Sequence, residues 1–141
     1  MATTGYSLTH YAEGKVGDAI LRGISFTAPA QMYMALFTVA PTDAGGGTEV
    51  AGGGYARRPV TFGAGTTQTT GTLYTNSATV IFPMATANWG TIVAFAFFDD
   101  ATAGNMWEYT TQDGAGNPLN ITVNAGTQLV FNAGQITDIK D

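Results

Sequence analysis

The chain has 141 residues, a net charge of −5 and no cysteine, which fits one domain and excludes disulfides and thiolate metal sites. Only 11% of its residues are charged, under half of the usual ~25%. Its five bases form no stripe that would offset a nucleic-acid backbone, so direct DNA or RNA binding is not expected.

No apolar run reaches the ~20 residues of a membrane helix, so no membrane partner is expected. The opening MATTGYSLTH lacks the charged start and apolar core of a signal peptide. Ser7 or Thr9 is placed to cap a short helix that runs to about Arg22, with Tyr11, Val16, Ala19 and Ile20 on one apolar face. Gly14 and Gly17 weaken that helix, each costing ~1 kcal/mol against alanine, and Gly23 is a stop signal. Residues 1–28 therefore read as an N-terminal arm and residues 29–141 as a β domain.

From residue 30 onward the signals are strands. Residues 31–40 are apolar and rich in aromatic and β-branched types, and residues 55–62 end in Val60-Thr61-Phe62. Between them lie Pro41-Thr42-Asp43 and two triple glycines at 45–47 and 52–54. So glycine-rich a segment has high backbone entropy when free, and it is expected to be a flexible loop that orders on contact with a neighbour. Residues 63–76 read as a second long loop. Residues 78–82 form a short strand stopped by Pro83, and residues 91–98 (TIVAFAFF) read as a central strand buried on both faces.

Residues 106–112 alternate, with Trp107 and Tyr109 on one side and Glu108 and Thr110 on the other. A turn cluster at 113–118 follows. Residues 119–123 and 127–132 then read as a hairpin around Asn124-Ala125-Gly126, and residues 135–140 close the chain. The sum is an all-β fold, an antiparallel β-sandwich or jelly roll of about eight strands with a short N-terminal helical arm. A closed barrel is the alternative.

Little catalytic chemistry stands out. His10 is the sole histidine, and Ser7, Ser25 and Ser77 lie in no nucleophile-elbow pattern. Asp99-Asp100 follows the buried strand into a turn, where adjacent acids more often bond backbone amides than bind calcium or hydrolyse a glycoside. The triple glycines lack the Lys-Ser/Thr and the helix of a phosphate-binding loop. No catalytic, metal or cofactor-binding residue is assigned, and the chain is expected not to be an enzyme. Arg57-Arg58 is the one basic pair, read equally as an interface ion-pair donor and as an edge guard beside Pro59. Trp89 reads as a plug at the end of the sandwich in preference to an interface anchor, and Trp107 with Tyr109 as core in preference to a sugar platform.

Three blocks of sequence carry a resemblance. The first is MALFTVAPTDAGGGTEVAGGGYARRPVTF. The second runs from Asn76-Ser77-Ala78 through Ile81-Phe82-Pro83, Ala85-Thr86-Ala87 and Trp89-Gly90-Thr91 to Phe97-Phe98-Asp99. The third is Val123-Asn124-Ala125-Gly126 with Phe131-Asn132-Ala133-Gly134. In that order and spacing, covering most of residues 31–139, they resemble a family of small tailed-phage virion proteins. Members are often labelled tail fibre proteins, and the resemblance extends to capsid decoration, or cement, proteins with jelly-roll folds.

The resemblance implies a structural virion protein on the outer capsid surface, made in the bacterial host cytoplasm. It would bind the HK97-type major capsid protein and neighbouring copies of itself, as dimer or trimer. The alternative is a tail fibre or receptor-binding module that recognises a host-surface glycan or protein. The residues expected at protein interfaces are Tyr6, His10, Tyr11, Glu49, Tyr55, Arg57 and Arg58. The insert at 106–120 is longer than the family's pattern.

Overall fold

The structure is a computed structural model that describes residues 5–141, so the first four residues of the expected arm lie outside the described residues. In chain order the elements are β1 (Ser7–Leu8), α1 (His10–Arg22), β2 (Met32–Val39), β3 (Thr48–Glu49), β4 (Arg58–Val60), β5 (Thr66–Gln68), β6 (Gly71–Thr75) and β7 (Val80–Ile81), followed by β8 (Gly90–Ile92), β9 (Ala94–Phe98), β10 (Met106–Thr110), β11 (Ile121–Val123), β12 (Val130–Phe131) and β13 (Thr137–Lys140). The fold is all-β with one helix, and every strand pairing is antiparallel.

One six-stranded sheet runs β1-β10-β9-β2-β3, with β4 also on β2. Three smaller sheets, β8–β11, β7–β12 and β5–β6–β13, supply the other wall of the core. Alternation along β2 and β9 sorts their side chains between two faces. Met34, Leu36, Phe95 and Phe97 face the main core with Phe82, Ile92, Val123, Phe131 and Ile136. Ala35, Phe37, Ala94 and Ala96 form a second cluster on the outer face, under Phe98, Met106 and Tyr109. The central strand is thus buried on both faces, as its unbroken apolar run predicts. Each fully buried Phe or Leu there contributes ~1.5–3 kcal/mol.

The helix follows its signals closely. Thr9 is the cap and accepts from the Ala12 amide, and Gly23 ends α1 in the left-handed conformation. Its apolar face differs in part from the expected one. Val16 and Ala19 are half-buried beside the buried Ala12, whereas Tyr11 and Ile20 are exposed. The cause is attachment at one end only: Thr9 Oγ1 donates to the Met106 carbonyl at 2.6 Å and the Thr9 amide to Trp107 at 3.0 Å, which pins the first turn to β10.

Other expectations are corrected. The expected strand at 55–62 is only Arg58–Val60, since the Tyr55 ring turns into the core. The loop expected at 63–76 contains the β5–β6 hairpin, because its threonines pair across strands. The single strand at 91–98 is broken at Val93, whose amide leaves the ladder to donate to Phe37. The segments at 119–123 and 127–132 do not pair with each other. β11 goes to β8 and β12 to β7, so Asn124-Ala125-Gly126 connects two sheets. Thirteen short strands among the described residues replace the expected eight.

Candidate functional site

The glycine-rich insert is built into the sheet. β2 is eight residues long, and two short strands share one of its edges: β4 pairs with Met32–Met34 and β3 with Phe37 and Val39. The insert crosses from one to the other, leaving a gap in the ladder at Leu36. Tyr55 fills it. Its phenol oxygen accepts the Leu36 amide at 3.0 Å and donates to Glu49 Oε1 at 2.7 Å. Burial pushes the phenol well above its ordinary range, and the Glu49 charge adds to this.

Arg57 completes the network. Its Nε and Nη2 grip both oxygens of Glu49 at 2.8 Å, a bidentate pair. Nη1 donates to the carbonyls of Asp100 and Ala103 at 2.9 and 2.7 Å, and the guanidinium lies 3.6 Å from the Phe98 ring centroid. Only 7% of the side chain is exposed. The glycines make the route sterically possible. A Cβ on Gly47, at φ +76°, would meet Val39 O at 2.6 Å, and one on Gly53 would meet the Trp89 indole at 2.9 Å. Trp89 Nε1 donates to Gly53 O at 2.8 Å. The expectation of an insert that stays flexible until it meets a neighbour is therefore corrected: backbone, side-chain and indole hydrogen bonds tie it to the body.

The interface residues named from sequence fall into two groups. Glu49, Tyr55 and Arg57 come together in the network just described, and their contacts are internal. Tyr6, 7% exposed, stacks on Phe97 at 4.5 Å inside the core, because β1 pairs with β10 and draws its predecessor inward. Arg58 tethers β4 to β7 through Nε to the Ile81 carbonyl at 2.7 Å. His10 and Tyr11 alone of the seven are exposed. Tyr11 stands edge-on to Trp107 at 5.3 Å under the Lys15 ammonium. His10, Tyr11 and the insert line a cleft of about 620 Å³ with Asp43, Phe37, Phe98 and Asn105.

Three features escaped the sequence reading. Asp43 receives the Tyr109 hydroxyl at 2.9 Å and, through its carbonyl, the His10 amide, and so ties the arm to the insert. Its place in Pro-Thr-Asp was the available signal. Asp99, expected to bond nearby amides, does so, and it also accepts from the Trp107 indole. Burial alone would raise its carboxyl, but the donors from Asn105 and Trp107 outweigh it and hold it below the usual range.

Third, Glu108 on β10 points between the layers and meets Asp138 and Lys140 of β13. Asp138 is buried, and its Oδ1 has no hydrogen-bond partner among the described groups. Burial and the Asp138 charge push Glu108 up to about 7, with Lys140 working the other way.

The sequence of residues 7–138 matches the family described as Podophage GP4 fiber I protein gp80. The chain belongs to this family. No curated protein matches the chain. The family agrees with the coarse reading of the three sequence blocks, a structural protein of a tailed-phage particle, and its fibre label agrees with the label noted there. Nothing in the network around Arg57 leaves an activated nucleophile or a set of converging free carboxylates: Glu49 is bonded to Tyr55 and Arg57, and Asp99 to Asn105 and Trp107.

Proposed function

We propose that this chain is a non-enzymatic structural subunit of the phage particle: a rigid β body that attaches to neighbouring virion chains through its helical arm. The observation that carries the reading is the exposed apolar end of α1. Ile20 is 75% and Leu21 84% exposed, on a protein whose conspicuous polar side chains are bonded internally. Within this reading the chain is a decoration protein on the outer capsid surface, bound to the HK97-type major capsid protein. Short antiparallel sheets closed around one core support a compact cap over a rod, and repetition over a shell turns weak contacts into stability through avidity.

The family's description favours a second reading, a subunit of a tail-attached fibre that meets the host surface. Copy number separates the two. Counting the chain against the major capsid protein in purified virions should give hundreds of copies under the first reading. A handful per particle, lost when tails are removed, overturns it in favour of the second. Absence from purified virions overturns both.

A further inference from the structure

Two walls of the fold meet at three charged side chains. β13 stands at the edge of its sheet, laddered to β6. Facing it, Glu108 of β10 lies within hydrogen-bond reach of Asp138. One ammonium serves both acids: Lys140 Nζ bonds Asp138 Oδ2 at 2.6 Å and also bonds Glu108 Oε1. What remains is Asp138 Oδ1, buried and without a donor among the described groups. Ionised carboxylates only accept hydrogen bonds, so two of them cannot satisfy each other. A buried acceptor left empty is costly.

We propose that Glu108 keeps its carboxyl proton and donates it to Asp138 Oδ1, and that this proton is a latch between β10 and β13 that opens when it is lost. The latch belongs to the single chain, and it holds whether the chain caps a shell or forms part of a fibre.

The charges around the seam carry the proposal. With the proton in place, the Lys140 ammonium faces one negative charge and both oxygens of Asp138 have donors. Without it, two carboxylates share one ammonium and Asp138 Oδ1 is stranded, in a seam where repulsion is poorly screened. The neighbours offer no substitute cation. Across its ladders Glu108 is paired with Leu8 of β1 and Phe97 of β9, which do not ionise. A groove of about 790 Å³ runs along the seam. Besides Glu108 and Lys140, its ionisable lining groups are Glu13 of α1, Asp43, Tyr6, Tyr109 and Asp141, none of them a cation. The charges that act on Glu108 are those of Asp138 and Lys140. The groove also gives an ionised Glu108 a short path to water, so release requires the seam to part and not the sheets to unravel. Burial and the Asp138 charge push Glu108 up to about 7, which sets the latch to open as pH rises through neutrality.

Carbon-detected NMR of the side-chain carboxyls, on the full chain titrated from about pH 4 to about pH 9, reads the proton directly. The Glu108 signal should titrate near neutrality, and the Asp138 signal should inflect at the same pH. In Asp138→Asn the side-chain amide becomes the donor, and the Glu108 midpoint should fall by about one pH unit or more. Hydrogen exchange reads the latch. At about pH 8.5 the β13 amides should exchange roughly tenfold faster in the wild type than in Glu108→Gln, whose amide donates at every pH. At about pH 5.5 the two chains should agree.

A Glu108 that titrates at its ordinary 4.5 overturns the proposal. So does a midpoint that Asp138→Asn leaves in place, since burial alone would then hold the proton. Equal β13 exchange in the wild type and Glu108→Gln at both pH values overturns the latch, and that comparison stands even if Asp138→Asn does not fold.

Discussion

The glycine-rich insert and the outer face of α1 are both rich in glycine, and they use it in opposite ways. In the insert, glycine lets the backbone pass where a side chain would collide, as at Gly47 against Val39 and at Gly53 against Trp89. The result is a fixed path, held by Glu49, Tyr55 and Arg57. On α1, Gly14 and Gly17 face open space, and no contact among the described residues depends on their small size. A glycine that its own fold requires is a structural residue. A glycine that its fold does not require, set beside exposed Ile20 and Leu21, marks a surface shaped by something else.

Substitutions should separate the two regions. The largest effect belongs to the insert. Arg57→Ala leaves the half-buried Glu49 without its bidentate partner and should lower unfolding free energy by about 3 kcal/mol, read from denaturant midpoints. A change below about 0.5 kcal/mol would mean that the insert is not locked as described.

Next comes the pH dependence that Glu108 gives the joint between the two layers. Burial and the neighbouring Asp138 charge push its carboxyl from the ordinary 4.5 up to about 7 in the fold, so the folded chain holds the extra proton between those values. Its contribution to stability is therefore fully present below pH 4.5 and falls as pH rises towards 7, by at most about 3 kcal/mol. Above that the profile is flat for this group. Glu108→Gln should remove this slope in urea titrations across the range, and a variant with the wild-type slope would put the titrating group elsewhere.

Tyr55→Phe deletes one hydroxyl and strands the Leu36 amide in the ladder gap, at a cost of about 1–2 kcal/mol. The smallest effect has the opposite sign. Gly14→Ala and Gly17→Ala, at positions where an added Cβ meets no atom within 4 Å, should each stabilise the chain by roughly 0.5–1 kcal/mol. Destabilisation in dilute solution would mean that the chain's own fold uses these glycines.

Much of the fold was legible because it rests on local signals. The helix start at Ser7 or Thr9, the Gly23 stop, the central apolar strand and the preferred reading of Trp89 as a plug each rest on a short pattern of neighbouring residues, and the structure has Thr9 as the cap and Trp89 buried. Strand pairing was not legible. Asn124-Ala125-Gly126 has the composition of a hairpin turn, yet its flanking strands go to different sheets, a choice made by the core that Val123 and Phe131 enter.

The site was half legible. Glu49, Tyr55 and Arg57 were singled out as interface residues, and the structure joins the three in one network within the chain; spacing alone does not say whether an arginine meets its own chain or a neighbour. Here Asp100 and Ala103, more than forty residues away, decide it. Glu108 and Asp138 were hidden for the same reason, since only the packing of β10 and β13 brings the two acids together.

Hydrogen exchange on the free chain and on assembled particles, compared residue by residue, tests the central claim most directly: that the arm, and not the insert, meets neighbouring virion chains. The account predicts that Leu36, Val50 and Tyr55 are already protected in the free chain and change little on assembly, while amides at 14–24 gain protection. Fast exchange of the insert in the free chain, with protection appearing there on assembly and none along α1, would contradict it.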